Sequence, residues 1–159
     1  MIVLAHNIRS MHNVGAIFRS AACFGVEKLF LTGYTPAPPR KEIAKVALGA
    51  EHLVPWEVQD IVHAIAQCKA NGYDVFALEQ TPNAQLLHHA HNKHRSIALI
   101  LGNEVDGIEQ EVLTLCDGSF AIPMHQKQSL NVSVAAGIAM YTLCSHSSMD
   151  RTLASEAGN

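Results

Sequence analysis

An α/β fold built on a mainly parallel sheet, with helices on both faces, is what the sequence predicts. Short runs of branched apolar residues alternate with stretches whose apolar residues recur at helical spacing. The strand candidates are apolar almost throughout rather than at every second residue, as strands covered on both faces are. Helix-length segments separate them, which parallel pairing requires. At 159 residues and 48% hydrophobic composition, the chain is long enough for one core and short for two. A single domain is expected over residues 1–146, and the small, polar stretch 147–159 is expected to be poorly ordered.

Residues 1–5 are a short apolar run ended by His6 and Asn7, and read as the first strand. Val14, Ile17, Phe18, Ala21, Ala22 and Phe24 then fall at helical spacing, Gly25 supplies a stop, and Asn13 suits the cap. Residues 28–32 form the second strand. Gly33 opens a stretch through Pro36, Pro38 and Pro39 that is too proline-rich for regular structure. A strand at 53–58, a helix at 61–68, the Asn71-Gly72 turn and a strand at 73–78 continue the alternation. Residues 96–101 are the most apolar strand candidate. A helix at 108–115, a strand at 119–122 and a long apolar helix at 132–144 complete the series, with Ser129 or Asn131 suited to cap the last helix.

Several function classes are disfavoured. The N-terminus lacks a basic stretch followed by an apolar core and cleavage site, and no apolar run reaches the roughly 18 residues of a membrane span, so a cytoplasmic protein is expected. Cys23, Cys68, Cys116 and Cys144 lie far apart without a CxxC pair, which suits reduced, packed thiols. His88, His89, His91 and His94 lack Cys or acidic partners at ligand spacing and read as a solvated helix end. Residues 104–111 lack the alternating Asp or Asn ligands of a calcium loop, so no metal is expected. No GxGxxG follows the first strand, against a nucleotide-dependent oxidoreductase. The net charge of −3 weighs against a nucleic-acid partner, yet residues 1–45 carry six Lys or Arg against two acids and leave room for a local basic face.

Three loops, at residues 7–19, 102–107 and 122–131, follow strands and so belong at the ligand-binding edge of such a sheet. Gly102 and Gly107 would let backbone approach a ligand closely. Arg19 lies within an otherwise apolar helix, so its guanidinium must reach a phosphate or carboxylate, with Glu104 as an alternative structural partner. Gly137 inside the last helix costs about 1 kcal/mol relative to Ala, which a close helix contact, such as a dimer interface, would offset.

Together these loops resemble the motifs of the SPOUT superfamily, specifically its TrmH-like (SpoU) branch of RNA ribose 2′-O-methyltransferases. The first motif reads Asn7-Ile8-Arg9-Ser10 and then Asn13-Val14-Gly15-Ala16-Ile17-Phe18-Arg19-Ser20. The second is Leu101-Gly102-Asn103-Glu104-Val105-Asp106-Gly107-Ile108, and the third Ile122-Pro123-Met124 with Ser129-Leu130-Asn131-Val132-Ser133. Lys45-Val46-Ala47-Leu48-Gly49-Ala50 also resembles the segment before the family's third strand. The third motif departs from the usual pattern, with His125-Gln126-Lys127-Gln128 where a glycine often follows the Met.

The resemblance implies a deep C-terminal trefoil knot, an exception to the unknotted rule. It also implies a homodimer that completes each site, and methyl transfer from S-adenosylmethionine to a ribose 2′-hydroxyl in structured RNA, tRNA being favoured over ribosomal RNA. Arg19, Asn13, Glu104, Ser129 and Asn131 match the functional polar positions. Thr32, Gly33, Leu78, Gly102, Ile122, Met124 and Leu130 match positions around the cofactor. Arg9, Arg40, Lys41 and Lys45 are the candidates for RNA contact. Family proposals make the arginine a general base, but a guanidinium stays protonated, which favours stabilising the alkoxide or positioning a phosphate. The alternative is a non-catalytic RNA- or ribosome-binding dimer of the same fold.

Overall fold

The computed structural model describes residues 1–90, 96–126 and 129–144. Seven strands form one sheet in the order β3-β2-β1-β6-β4-β7-β5: β1 (Ile2–His6), β2 (Lys28–Thr32), β3 (Trp56–Gln59), β4 (Asp74–Leu78), β5 (Gln85–Leu86), β6 (Ile97–Leu101) and β7 (Gly118–Ala121). Every neighbouring pair is parallel. The helices are α1 (Met11–Phe24), α2 (Lys41–Ala47), α3 (Ile61–Ala70), α4 (Gln110–Thr114) and α5 (Val132–Cys144).

Alternate strand residues feed two apolar layers, as the pleat dictates. On one face Val3, Ala5, Leu29, Leu31, Leu99 and Leu101 pack under α1, α2 and α5. On the other, Ile2, Leu4, Phe30, Ala98 and Ile100 pack under α3 and α4. Helices on both faces are thus present as expected. Because α1 follows β1 on one face and α4 follows β6, its sheet neighbour, on the other, the loops leaving these adjacent strands part. The crevice between them is the usual ligand position in such sheets.

Local chemistry moves some boundaries. The first helix starts three residues before the expected Val14, because Ser10 is its cap and accepts a hydrogen bond from the Asn13 amide at 3.3 Å. Asn13 is therefore freed from capping. Asp60 caps α3 through the amides of Val62 and His63. The third strand begins at Trp56 rather than 53, since Leu53 is 76% exposed and Pro55 has no amide, though its carbonyl accepts from Leu29. Helix α2 was not expected from the sequence. It docks closely on α1, where a Cβ at Gly15 would come within 2.6 Å of the Ile43 carbonyl oxygen.

Cys68 and Cys144 are buried and Cys116 half-buried, but Cys23 is exposed on the outer side of α1, contrary to the expectation of packed thiols. Burial pushes the Cys68 and Cys116 thiols up to about 11. No helix among the described residues is long and apolar enough to cross a membrane, and among them no three His, Cys, Asp or Glu residues form a metal cluster. His91, His94 and the tail 147–159 lie outside the described residues.

Phe18 is fully buried between α1 and the sheet and meets Trp56 edge-on, with ring centroids 6.5 Å apart. Phe18→Ala should therefore cost about 3–5 kcal/mol of stability, read from urea unfolding. A loss under about 1 kcal/mol would show that the site collapses around the missing ring.

Candidate active site at the carboxyl edge of the sheet

The three motif loops meet at the strands' carboxyl ends. Asn13, now inside α1, donates from Nδ2 to Glu104 Oε1 at 2.6 Å and accepts at Oδ1 from Asn131 Nδ2 at 3.2 Å. One buried amide thus bridges the second and third motifs. Asn131 also caps α5, its Oδ1 accepting from the Ser133 and Val134 amides at 2.9 and 3.4 Å. The capping role expected of Ser129 or Asn131 falls to Asn131.

Beside this bridge lies a cavity of about 500 Å³, within the range of small-ligand sites. Leu78, Ile122, Met124 and Leu130 give it apolar walls, Gly102 adds backbone, and Glu104 and Ser129 supply polar groups. The turn at 102–108 is built to tolerances that exclude side chains. A Cβ at Gly102 would lie 2.4 Å from Ile108 Cγ1 and 2.8 Å from the Gly107 carbonyl carbon, while Asn103 and Gly107 exchange amide hydrogen bonds of 3.0 and 3.1 Å.

Not every candidate joins this cavity. Thr32 is fully buried, its Oγ1 2.8 Å from His6 Nδ1, and Gly33 packs against the Asn7 side chain; neither lines the wall. Arg19 is exposed on α1, outside the cavity lining, with no hydrogen bond or ion pair among the described residues. Its suggested structural partner Glu104 is held by Asn13 instead. Arg9, Arg40, Lys41 and Lys45 are all exposed. Gly137 meets only Ser20 Oγ of α1, 3.6 Å from where a Cβ would stand, so a side chain would find ordinary contact there.

Several supporting residues escaped the sequence reading. Glu79 directly follows β4, and its Oε2 accepts from the Ile108 amide at 3.3 Å, which pins the 102–108 turn. Asn103 donates from Nδ2 to the Asn7 carbonyl and the Tyr34 hydroxyl at 2.9 and 2.7 Å, and its Oδ1 receives the Val105 and Asp106 amides. Gly102, immediately before Asn103 in the second motif, was the available signal, whereas nothing in the sequence marks Tyr34. Behind them His6, 5% exposed, lies with Nε2 3.1 Å from Glu109 Oε2, and Asn7 donates to Glu109 Oε1 at 2.6 Å. Burial raises the Glu109 carboxyl, but hydrogen bonds from its own amide, Asn7 and His6, with the imidazole's field, outweigh it and hold the group below its usual value.

This arrangement defines a class: a parallel α/β protein with a ligand-sized cavity at the carboxyl edge and a polar bridge spanning three loops. The chain belongs to the SpoU rRNA Methylase family, whose sequence profile matches residues 1–141. It is 32% identical over 143 residues to the tRNA (guanosine(18)-2′-O)-methyltransferase of Escherichia coli, covering 89% of this chain and 61% of that one. It is 30% identical over 142 residues to the 23S rRNA (guanosine-2′-O-)-methyltransferase RlmB of Neisseria meningitidis serogroup B, covering 88% and 56%. Among solved structures, the AdoMet-bound rRNA methyltransferase from Sinorhizobium meliloti superposes with a TM-score of 0.85 at 24% identity, covering 92% of this chain and 56% of that one. The chain spans about half the length of the curated relatives it matches.

The Glu109 clasp has a pH signature. Because its folded-state carboxyl sits below the ordinary value of 4.5, the stabilisation is complete above that value and disappears as pH falls through the folded-state one. Glu109→Gln should weaken the acid dependence of thermal unfolding below pH 5 on that account; an identical acid limb would remove Glu109 as a contributor.

Proposed function

We propose that the chain is a methyltransferase that moves a methyl group from S-adenosylmethionine to a ribose 2′-hydroxyl of structured RNA. The observation that carries this is the Asn13 bridge, because it ties a polar residue of each of the three motifs together, and one of them, Glu104, lines the cavity. The names of the relatives support RNA 2′-O-methylation as the chemistry. Transfer RNA is the preferred substrate over ribosomal RNA, and a cytoplasmic location follows from that role.

The cavity suits the cofactor: apolar walls at Leu78, Ile122 and Leu130 match a purine, and the loop backbone around Gly102 offers amide and carbonyl groups to its polar edge. When bound, S-adenosylmethionine supplies an electrophilic methyl on a sulfonium. The protein's part is alignment of the hydroxyl and stabilisation of the charge that develops as its proton leaves. Glu104, Ser129 and Asn131 orient the ribose, Asn13 fixes Glu104 and Asn131 relative to each other, and Arg19 stabilises the developing alkoxide and holds a phosphate. Arg9, Arg40, Lys41 and Lys45 take further RNA phosphates.

Arg19 stands outside its own chain's cavity lining, in keeping with a homodimer in which each site is completed by the partner. Helix α5 supports the same assembly. It is apolar nearly all round, and Val134, Ile138 and Tyr141, at helical spacing, are 50%, 40% and 58% exposed. Threading of the C-terminal segment into a trefoil knot, with residues 1–146 as one domain, completes the proposal.

Two tests bear on this. Gly102→Val should abolish S-adenosylmethionine binding by calorimetry, whereas Arg19→Ala should retain binding and lose at least about a hundredfold in tritiated methyl transfer to total RNA. Near-normal transfer by a folded Arg19→Ala protein would remove that residue from catalysis, and cofactor binding without transfer by the parent chain would favour the non-catalytic RNA binder. Ile138→Asp should shift the species seen in sedimentation from dimer to monomer; a parent chain that is monomeric at micromolar concentration would end the dimer proposal.

A further inference from the structure

A second cavity, of about 250 Å³, lies between the proline-rich loop and α2 and shares no lining residue with the first. Pro38, Pro39, Ile43 and Ala44 give it apolar walls, and the exposed Arg40 and Lys41 also border it. Its unusual member is Glu51. The side chain is only 6% exposed, and Oε2 is sealed from solvent with no hydrogen-bond partner among the described residues. Oε1 lies 3.7 Å from Nε2 of His52, beyond hydrogen-bond reach, and that imidazole is itself 83% exposed.

Removing a carboxylate from water without giving it a donor is costly, and native chains seldom keep such a group idle. A partner in the cavity cannot reach the sealed Oε2 but can meet Oε1, which makes no hydrogen bond among the described residues, and it has to offer an N–H or O–H. A free cation is disfavoured there, because Arg40 and Lys41 already make the border positive. A ligand with a flat apolar body, a donor at one end and an anion at the other satisfies all three features. One nucleotide of a single-stranded RNA segment is such a ligand, and splayed bases are the usual basis of sequence preference in RNA recognition. The volume admits one base and is smaller than sites that hold drug-sized ligands.

We propose that this cavity receives an unstacked, amino-bearing nucleobase, whose exocyclic N–H donates to Glu51 while the adjoining phosphate pairs with Arg40 and Lys41. It is a reading pocket for a nucleotide other than the one methylated, resting on the RNA substrate proposed above. Cytosine fits through its N4 amino group. Uracil does not, since its one Watson–Crick N–H is flanked by two carbonyl oxygens that a carboxylate repels.

The discriminating measurement is fluorescence anisotropy of labelled eight-nucleotide oligo(rC) and oligo(rU) with the full chain at fixed salt. The parent chain should bind oligo(rC) about tenfold tighter, the size expected of one hydrogen bond to a charged group. Glu51→Leu removes the acceptor at similar volume, and Ala44→Phe plugs the cavity with Glu51 intact. Both should erase the preference while keeping S-adenosylmethionine affinity, and Glu51→Leu should melt no lower than the parent, as replacing an unpaired buried charge predicts. Equal affinity of the parent for the two oligomers, retention of the preference by both variants, or a large fall in melting temperature in Glu51→Leu would each overturn the pocket. Methyl transfer to total RNA, assayed in parallel, separates the two proposals: transfer without base preference overturns the pocket alone, and loss of both RNA binding and transfer overturns both.

Discussion

One hydrogen-bonded amide holds the candidate active site together. Asn13 reaches Glu104 on one side and Asn131 on the other, so residues 91 and 118 positions away in sequence are fixed through a single side chain. Its availability depends on Ser10, which takes over the capping of α1 and leaves the Asn13 side chain free to point across the crevice. A buried amide has two donors and two acceptor lone pairs to satisfy, and pairing with a carboxylate makes one of these bonds charge-assisted. The geometry of the bridge therefore follows from the capping of α1 as much as from the loops themselves.

Beneath that bridge is a second set of ties that stiffens the floor. Asn103, Asn7, Tyr34 and Glu79 connect the loops after β6, β1, β2 and β4. Asn7 adopts a left-handed conformation, with φ of 55°, which asparagine tolerates better than most residues. Each loop thus rests on its neighbours, which suits a site whose task is alignment.

The strands were legible because parallel strands buried on both faces leave unbroken apolar runs, and β2 matches its expected limits residue for residue. Short, half-exposed elements were not. Helix α2 buries only Ile43 and Ala47 of its seven residues, too few for helical periodicity to stand out beside a proline-rich loop. Strand β5 is two exposed residues that pair with β7, a tertiary event with no local signal. At the site, the polar motif residues were readable from their order along the chain. Glu79 and Tyr34 were not, since a glutamate after a strand and a tyrosine in a loop are commonplace until the fold sets them against a turn. Likewise Thr32 reads as a polar strand end, yet the sheet sinks it beneath His6.

The double duty of Asn131 couples two parts of the molecule that are usually treated separately. Its Oδ1 starts α5 while its Nδ2 closes the bridge, and Leu130, Val132 and Ala135 on the same turn form part of the cavity wall. The wall is consequently no more durable than one helix terminus, the region where helices fray first. By thermodynamic linkage, any ligand that needs the wall intact adds its binding free energy to that terminus, so occupancy and helical order at the start of α5 rise and fall as one quantity.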